Sequence, residues 1–511
     1  MAAVYTAAWG LLLSASGRYW DDWAALDLSS RAVAEWSRQQ GLFWQLDLLR
    51  VLSSLPGTER IGHALVFVAY LACVIVLYFL LRRLPVSSGM RVLVPVLFAV
   101  FPVNAARYAL VDLMYAISLV VFMLAWWLVA VDQDRPAIWR EALAAVLFLF
   151  SMLSTGSLLM FFIVVPAYVL LQRFWAGRAE GATSLARNAY LILLPVVAWF
   201  VRSIALRPTG LYASYNSVTS AGLFSALVNL PLAFRTSVLE PAVGAFRPSM
   251  LFAAAVLAIA LAGFLLLRRL DLSFDAPMRH LLALAGAGLI LFAVGVFPYL
   301  AVGKLPQGAG WESRHQLLVP FGAAVLVYAG IVLAARVLRL RPTVTLLALC
   351  LVAGLFVAGD LRTSLEYQVD WYKQVSLMQR MAESAEMERG RHFIFTDRAA
   401  DLNAAKPEYA AYEYNGMMRM ALGDATRFGV DVRRIEFFDP LLMREHQQYN
   451  CWEYEPTPVR YGVTITRGEL DATRPWVVAG LMWQEVFAPD EFRERVADVV
   501  RIEVERLPNA Y

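Results

Sequence analysis

The chain has 511 residues, of which 59% are hydrophobic and 17% are charged. This composition excludes a disordered or fibrous chain and argues against an ordinary soluble enzyme. The formal net charge is only +4, and no run of Lys and Arg is present, which argues against nucleic-acid binding. Any phosphate binding must therefore be local.

The charged residues are spread unevenly along the chain. Of the 86 Asp, Glu, Lys and Arg residues, 44 lie in the last 151 positions and 42 in the first 360. We therefore predict a membrane part at 1–360 and a water-soluble part at 361–511. The three cysteines, Cys73, Cys350 and Cys451, cannot form a disulfide framework or a CxxC metal site.

Apolar stretches of the length that a membrane-spanning helix needs recur throughout the first 360 residues. The N-terminus has no basic segment before its apolar run, so the first stretch is predicted to be a retained membrane helix rather than a cleaved signal. Eleven spans are predicted, at 2–16, 61–81, 90–104, 109–130, 138–153, 157–173, 188–205, 249–267, 280–299, 315–335 and 343–359.

Arginines indicate how these spans are oriented. Basic residues in short loops stay on the cytoplasmic side, and every second connection in this chain is basic. The N-terminus is therefore predicted to be cytoplasmic, and an odd number of spans places residues 361–511 on the outer side. The arginines concerned are Arg82, Arg83, Arg91, Arg135, Arg140, Arg173, Arg178, Arg187, Arg268, Arg269, Arg279, Arg336, Arg339 and Arg341.

The outer loop 17–60 is predicted to contain two helices that lie along the membrane surface, at 30–40 and 42–54. A similar apolar piece is expected at 224–239. After residue 360 the pattern becomes that of a soluble α/β domain. Its predicted elements are helices at 361–388 and 489–500 and strands at 391–396, 434–438, 459–466 and 476–482.

The strongest local feature is Asp21-Asp22, directly after the first predicted membrane helix. Two adjacent carboxylates at the end of an apolar segment are costly unless they bind a cation, accept a proton or cap a helix. One of them can act as a general base, and its neighbour can raise its pKa or help to hold a divalent metal. Alternatively, Asp22 caps the following helix and Asp21 is solvated.

The first membrane helix, the outer acidic pair and the two interfacial helices together resemble the GT-C class of integral-membrane glycosyltransferases. This class includes the protein mannosyltransferases, the aminoarabinose transferases and the arabinosyltransferases. The resemblance implies a polyprenyl-phosphate-linked sugar as donor and an acidic residue of the first outer loop as catalytic base. Asp21 or Asp22 would take that role here.

A second match to the class is the turn at 104–112, in which Arg107 is followed by Asp112 at the start of the next helix. The resemblance implies that this pair helps to bind the donor phosphate or a metal. A divalent cation such as Mg²⁺ or Mn²⁺ would use Asp21, Asp22 and Asp112. The alternative is that Asp112 only complements the positive end of a helix dipole.

The third constellation lies at 304–315. Lys304 is the only lysine among the first 360 residues, and Arg314 and His315 open a membrane helix on the outer side. Cationic donors and unpaired backbone N–H groups there suit a lipid phosphate. Glu312 is a further acidic candidate in this segment. The alternative is that these charges snorkel to the membrane surface at a helix end.

Other residues on the outer side are secondary candidates. Arg202 and Arg207 would bind phosphate or anchor a helix to headgroups, and Glu240 would contact an acceptor or be solvated. The aromatic candidates Tyr212, Tyr215 and Trp311 would stack on a sugar or belong to the interfacial belt. The turn at 154–157 lacks the acidic feature of several GT-C families, so a metal-independent mechanism remains open.

The preferred hypothesis is a bacterial inner-membrane glycosyltransferase that acts on the periplasmic or extracellular side. It would move a sugar from a polyprenyl-phosphate donor to a protein, glycan or lipid acceptor by direct, inverting displacement. The competing hypotheses are a transporter or flippase for a lipid-linked sugar, an O-antigen-type ligase with a diphosphate-linked donor, and a receptor or scaffold. The soluble domain is expected to orient the acceptor.

Overall fold

The structure is a computed structural model that describes the chain except for residues 27–29, 135, 176–187, 215, 247–249, 271, 309, 405–407, 440–458 and 509–511. Tyr215 and Cys451 therefore lie outside the described residues. The chain is mostly helical, with 72% of its residues in helices. The described strands form one four-stranded sheet.

Sixteen of the described helices begin before residue 340. They are α1 (Ala2–Trp9), α2 (Asp22–Ala25), α3 (Ser30–Gln40), α4 (Gln45–Ser53), α5 (Thr58–Arg82), α6 (Ser88–Val100), α7 (Leu113–Asp132), α8 (Ile138–Ser154), α9 (Gly156–Phe161), α10 (Val164–Trp175), α11 (Tyr190–Ile204), α12 (Ser220–Phe234), α13 (Glu240–Ala245), α14 (Met250–Leu267), α15 (Met278–Leu300) and α16 (Val319–Val337). A π-helical turn, Arg235–Leu239, joins α12 to α13.

Seven helical stretches among the described residues are long and apolar enough to cross a membrane, which supports a multi-pass membrane protein. They are Thr58–Arg82, Leu110–Asp132, Gly156–Phe174, Ser220–Ala245, Met278–Leu300, Val319–Val337 and Pro342–Glu383. Four shorter apolar helices accompany them, at Ala2–Ser14, Ser88–Val100, Tyr190–Ile204 and Ala253–Leu267.

Ten of the eleven predicted spans fall on these long or short apolar helices, and the span at 138–153 falls on α8. The stretch Ser220–Ala245 was not among the predicted spans. The number of helices that cross the bilayer therefore stays a prediction.

Contacts place the two ends of Ser220–Ala245 at the same end of the helix bundle. We call this end of the bundle the loop end, because Ala15 and Tyr108, which lie in connections between helices, meet there. Their carbonyls hydrogen-bond to His63 at 3.0 and 2.8 Å. Gly222 packs closely against the carbonyl of Ala301, just after α15, and Ala245 packs against Gly359. Both ends of the stretch therefore lie at the loop end, and Thr236 between them donates to the carbonyl of Pro306 at 2.9 Å.

Both helices predicted within the loop 17–60 are present. The first, α3, has the predicted bounds, and Gly41 follows it with a φ of +69°, the left-handed conformation that commonly ends a helix. The second, α4, begins at Gln45, three residues later than predicted. The Trp44 indole donates to Ser154 Oγ at 2.8 Å, which ties the start of α4 to the end of α8.

A single helix, α17 (Pro342–Glu383), runs for 42 residues through the predicted boundary at 360. At 1.5 Å per residue its length is about 63 Å. The sequence predicted a membrane helix at 343–359 and a separate amphipathic helix at 361–388. That separation is wrong, because Gly359 alone weakens a helix only slightly and no proline follows it.

The remaining helices are α18 (Ala385–Arg389), α19 (Ala411–Leu422), α20 (Pro475–Phe487) and α21 (Pro489–Val496). The sheet has the strand order β2-β1-β3-β4, formed by β1 (His392–Asp397), β2 (Phe428–Asp431), β3 (Arg460–Arg467) and β4 (Val500–Arg506). Strand β1 pairs in parallel with β2 and β3, and β3 pairs antiparallel with β4.

The strands predicted at 391–396 and 459–466 correspond to β1 and β3. The strand predicted at 434–438 is wrong, because a 3₁₀-helix, Val432–Phe438, occupies it. The strand predicted at 476–482 is also wrong: it lies in α20, where Pro475 stands in the first helical turn, a position that proline favours. The helix predicted at 489–500 ends at Val496, and β4 then begins at Val500.

The segment after residue 360 packs directly on the loop end of the membrane helices. The hydroxyl of Tyr19 donates to the carbonyl of Tyr367 at 2.7 Å, and the Trp23 indole donates to Gln374 at 3.0 Å. The Trp23 ring also covers Gly416 in α19, where a Cβ would collide with it. Buried residues of both parts therefore belong to one apolar core.

Candidate functional site

Three chain segments meet at the loop end: residues 18–22, 104–112 and 311–316. The backbone N–H of Ala106 donates to Ser313 Oγ at 2.7 Å, and that of Asn104 donates to Gln316 Oε1 at 3.2 Å. Asp22 joins the first segment to the second. The three motifs that the sequence singled out are thus neighbours in the fold.

Each of these regions contains a residue with a left-handed backbone: Trp20 with φ +51°, Asn104 with φ +59° and Gly310 with φ +69°. Positive φ is uncommon for residues other than glycine. Among the described residues other than glycine, only Arg339 shares it with Trp20 and Asn104. Strained backbone of this kind is concentrated at functional sites.

Asp22 is fully buried and holds the site segments together. Its Oδ2 accepts the backbone N–H groups of Tyr19 at 3.0 Å and Leu110 at 2.9 Å, and its Oδ1 accepts that of Val111 at 2.9 Å. Burial raises the pKa of Asp22 to about 7, although the three N–H donors oppose that rise. This carboxylate is enclosed by backbone and acts as a structural link.

Asp21, in contrast, is partly exposed at the start of α2. The phenol of Tyr412, in α19, hydrogen-bonds to the Asp21 side chain. Removal from water and then the Asp21 carboxylate raise the pKa of Tyr412, so the phenol stays a neutral donor. Asp21 is therefore the carboxylate of the pair that a substrate hydroxyl can approach.

Trp20 fixes the geometry of this acidic loop. Its backbone N–H donates to Glu413 Oε1 at 3.3 Å, next to Tyr412 in α19. Its ring lies with centroid distances of 5.5 Å from Trp311 and 5.6 Å from Tyr367. The loop thus contacts the third site segment and α17 through one side chain.

Asp112 is also fully buried, at the start of the stretch Leu110–Asp132. Its Oδ2 accepts a hydrogen bond from the Tyr70 hydroxyl at 2.8 Å, which in turn accepts one from Asn104 Nδ2 at 2.6 Å. Arg107 and Arg314 both lie close enough to attract its charge. Asp112 therefore links the second and third segments electrostatically.

Arg107 is buried between aromatic rings. Its guanidinium carbon lies 3.6 Å from the centroid of Trp9 and 4.6 Å from that of Tyr70. Its Nε donates to the carbonyl of Asn104 at 3.2 Å. In contact with both rings, this cation is placed to support the turn 104–112 and the charge of Asp112.

Arg314 lies at the centre of the cationic part of the site and is 9% exposed. Its guanidinium carbon lies 4.2 Å from the Trp311 ring centroid, and its Nη1 donates to the carbonyl of the same residue at 3.3 Å. It acts electrostatically on Lys304 and on Tyr412. Through Tyr412 it is thus near the Asp21 carboxylate.

Lys304 and Glu312 flank Arg314. Burial, followed by the charge of Arg314, lowers the pKa of Lys304 to about 8, and its Nζ donates to Asn216 Oδ1 at 2.8 Å. His315 Nδ1 lies 2.9 Å from Glu312 Oε2. This contact lowers the pKa of Glu312 to about 2, whereas burial lowers the pKa of His315.

Several predicted site residues have other partners. Arg202 donates to the carbonyl of Leu153 at 2.6 Å and so caps α8, and Arg207 is exposed. Glu240 begins a helix rather than lying in a loop, and its Oε1 pairs with Arg235 at 3.0 Å. The Tyr212 hydroxyl accepts the Trp36 indole N–H at 3.0 Å, whereas Tyr215 is outside the described residues. Of the two described aromatic candidates, Trp311 contacts the acidic loop, through Trp20.

The three predicted metal-binding carboxylates, Asp21, Asp22 and Asp112, do not fit a shared cation. Within the described parts of the chain, no three His, Cys, Asp or Glu side chains are grouped as a metal site would require. The oxygens of Asp22 accept three backbone N–H groups, and Oδ2 of Asp112 accepts the Tyr70 hydroxyl. We therefore derive no chemical step through a metal.

Sequence reasoning missed the contribution of α19. Tyr412 and Glu413 reach the acidic loop from a segment about 390 positions later in the chain. The sequence around them contains no motif that marks either residue. Their role follows only from the way in which α19 packs against Trp23.

The assembled site offers a partly exposed carboxylate, a neutral phenol and a group of cations within one water-restricted region. Such an arrangement can accept a proton from a hydroxyl and stabilise a phosphate. No family model matches the chain, and no curated protein matches it in a sequence comparison.

Proposed function

We propose that the chain is a membrane glycosyltransferase of the GT-C class that uses a polyprenyl-phosphate-linked sugar. The observation that carries this proposal is the convergence of Asp21, Arg314 and Lys304 at the loop end of the bundle. A carboxylate base and cations for a departing phosphate are the groups that this reaction needs. The apolar helices around them give a lipid-linked donor lateral access.

The proposed topology has eleven crossings, with the N-terminus in the cytoplasm of a bacterium and the loop end on the outer side of its inner membrane. The return of Ser220–Ala245 to the loop end supports this number, because that stretch then adds no crossing. The arginine-rich connections support the orientation. The segment 361–511 is then a soluble α/β domain on the outer side.

The proposed reaction is a single displacement. An acceptor hydroxyl oxygen attacks the anomeric carbon and gives its proton to the Asp21 carboxylate. The bond between that carbon and the phosphate oxygen breaks, and its electron pair stays on the polyprenyl phosphate. Because one bond forms opposite the bond that breaks, the configuration at the anomeric carbon inverts.

Arg314 and Lys304 are proposed to stabilise the departing phosphate. Both come from the segment 304–316, and each acts electrostatically on the other. The Arg314 guanidinium carbon lies 4.2 Å from the Trp311 ring centroid, and the planar fork of an arginine matches the geometry of phosphate oxygens. His315 would keep Glu312 ionised and directed away from the phosphate.

The domain after residue 360 is proposed to orient the acceptor, since α19 supplies Tyr412 beside the base. Deletion of this domain cannot test the idea, because α17 continues across residue 360 and the core includes both parts. Substitutions in α19 are the suitable probes.

The decisive experiment compares Asp21→Asn with Asp22→Asn in purified protein supplied with labelled polyprenyl-phosphate sugars and envelope acceptors. We expect Asp21→Asn to lower turnover about 100-fold or more while the protein keeps its thermal stability. Full turnover by Asp21→Asn would overturn the assignment of the base.

The same assay separates the competing functions. A diphosphate-linked oligosaccharide as the only accepted donor would indicate a ligase, and movement of the lipid across vesicles without sugar transfer would indicate a transporter. Mass spectrometry of envelope glycans and glycoproteins, with and without the gene, would identify the sugar and its acceptor.

A further inference from the structure

Helix α20 carries an exposed stripe that is entirely apolar. The stripe consists of Trp476, Ala479, Trp483, Val486 and Phe487, which follow the spacing of one helix face. Trp476 is 66% exposed, and Trp483 and Phe487 are each 64% exposed. The rings of Trp483 and Phe487 lie 4.1 Å apart between centroids, so they form one aromatic surface near the end of the stripe.

The opposite face of α20 is already occupied. Val477, Val478 and Leu481 are buried in the core. A helix that packs one face on a core and presents the other to water normally has polar residues on the outer face. A contiguous exposed apolar patch instead marks a surface that contacts a partner or a membrane.

Contacts place α20 at the level of the membrane-helix ends. Near its C-terminus, Glu485 hydrogen-bonds to Ser16, two residues after the 3₁₀ turn that ends at Ser14, and lies 4.0 Å from Arg60 in the first turn of α5. At its other end, Pro475 and Val478 line a cavity of about 530 Å³ together with Gly359. The helix therefore runs beside the loop end instead of projecting away from it.

We propose that α20 lies in the interface of the bilayer that the membrane helices cross, with its stripe inserted among the headgroups and upper acyl chains. The occupant of the stripe is thus phospholipid. Tryptophan is the residue that is enriched at this depth. Arg474, whose guanidinium lies 5.9 Å from the Trp476 ring, adds a cation at the end of the stripe; its Nε pairs with Asp471 at 2.8 Å, and basic residues beside an apolar face favour lipid headgroups.

This inference is independent of the reaction at the site. It states that the segment after residue 360 has its own membrane contact in addition to its packing on α17. That contact would fix the height of α19, and hence of Tyr412, above the bilayer surface.

The test is nitroxide accessibility in the full chain, reconstituted one copy per phospholipid nanodisc, with the native cysteines replaced by alanine. A label at Ala479→Cys reports the middle of the stripe without removing an aromatic ring. A label at Asp490→Cys, whose side chain is 91% exposed at the start of α21, is the matched aqueous control. Leu289→Cys in the middle of α15, 51% exposed, is the lipid control.

We expect the label at 479 to resemble the lipid control, with more collisions with oxygen and about tenfold fewer with a water-soluble nickel complex than the label at 490. Trp483→Glu should return the label at 479 to the aqueous pattern while the label at 289 is unchanged. An aqueous pattern at 479 in the unmodified stripe would overturn the proposal and leave a protein partner as the occupant.

Discussion

The carboxylate of Asp22 accepts the backbone N–H of Leu110 at 2.9 Å and so joins the acidic loop to the start of a membrane helix. Two further N–H groups, of Tyr19 and Val111, complete the arrangement. Of the two adjacent aspartates, Asp22 is thus held by backbone groups, whereas Asp21, which contacts Tyr412, is partly exposed.

This division predicts that the two amide substitutions affect stability differently. Asp22→Asn places an NH₂ group against backbone N–H donors, and a buried donor left unsatisfied costs about 1–3 kcal/mol. We expect Asp22→Asn to lower the midpoint of thermal unfolding in detergent, whereas Asp21→Asn leaves it unchanged. The prediction fails if the two variants unfold at the same temperature.

We expect the binding of polyprenyl phosphate, the proposed leaving group, to depend on pH through Lys304. Burial and the neighbouring Arg314 lower its pKa to about 8, so the ammonium is charged below that pH and loses its charge as the pH rises through it. A phosphate monoester, with a second pKa of about 6, is already fully ionised in this range. We therefore expect the affinity for polyprenyl phosphate to fall between pH 7.5 and 9.5.

The control for this prediction is Lys304→Arg, because a guanidinium stays charged over the whole range. Titrations of polyprenyl phosphate into nanodiscs at several pH values should give a declining affinity for the wild type and a flat one for Lys304→Arg. Parallel pH profiles of the two proteins would show that Lys304 does not contact the phosphate.

The sequence predicted the apolar helices and the two helices of the loop 17–60 well, because both depend on local patterns. The bounds of α3, for example, follow from its amphipathic spacing and from Gly41. Reliance on local patterns also explains why the strand predicted at 476–482 is wrong. Its apolar run fits a strand, whereas the buried and exposed faces of α20 are set by its packing on α17.

The site was predictable only where its residues lie in short motifs. Asp21, Arg107 and Arg314 are visible in the sequence because charges at the ends of apolar segments are costly. Which aspartate of the pair is buried is decided by the approach of Leu110, 88 positions away. Tyr412 could not be found at all, since its partner lies in the first loop of the chain.

Arg107 is expected to stabilise the fold rather than to bind the donor. Its guanidinium plane lies between Trp9 and Tyr70, and the compact ammonium of lysine cannot reproduce that stacking. A buried cation–π contact is worth about 2 kcal/mol. Arg107→Lys should therefore lower the thermal midpoint while the folded protein keeps its affinity for polyprenyl phosphate. Weaker binding at unchanged stability would instead assign Arg107 to the phosphate.

Tyr412→Phe tests the link between the base and α19. The substitution removes one hydrogen bond to the Asp21 carboxylate and keeps the ring. A carboxylate that loses a donor binds its proton more tightly, so the acidic limb of the pH–rate profile should move to higher pH. At neutral pH the rate should fall less than in Asp21→Asn.

The matched control for this measurement is Tyr409→Phe, because Tyr409 lies in the same region but its hydroxyl bonds to Asp370. That variant should keep the wild-type acidic limb even if its stability falls. A shift of equal size in both variants would mean that the profile reports a general disturbance of the segment after residue 360. A shift in Tyr412→Phe alone would assign the limb to Asp21, the carboxylate to which the Tyr412 hydroxyl hydrogen-bonds.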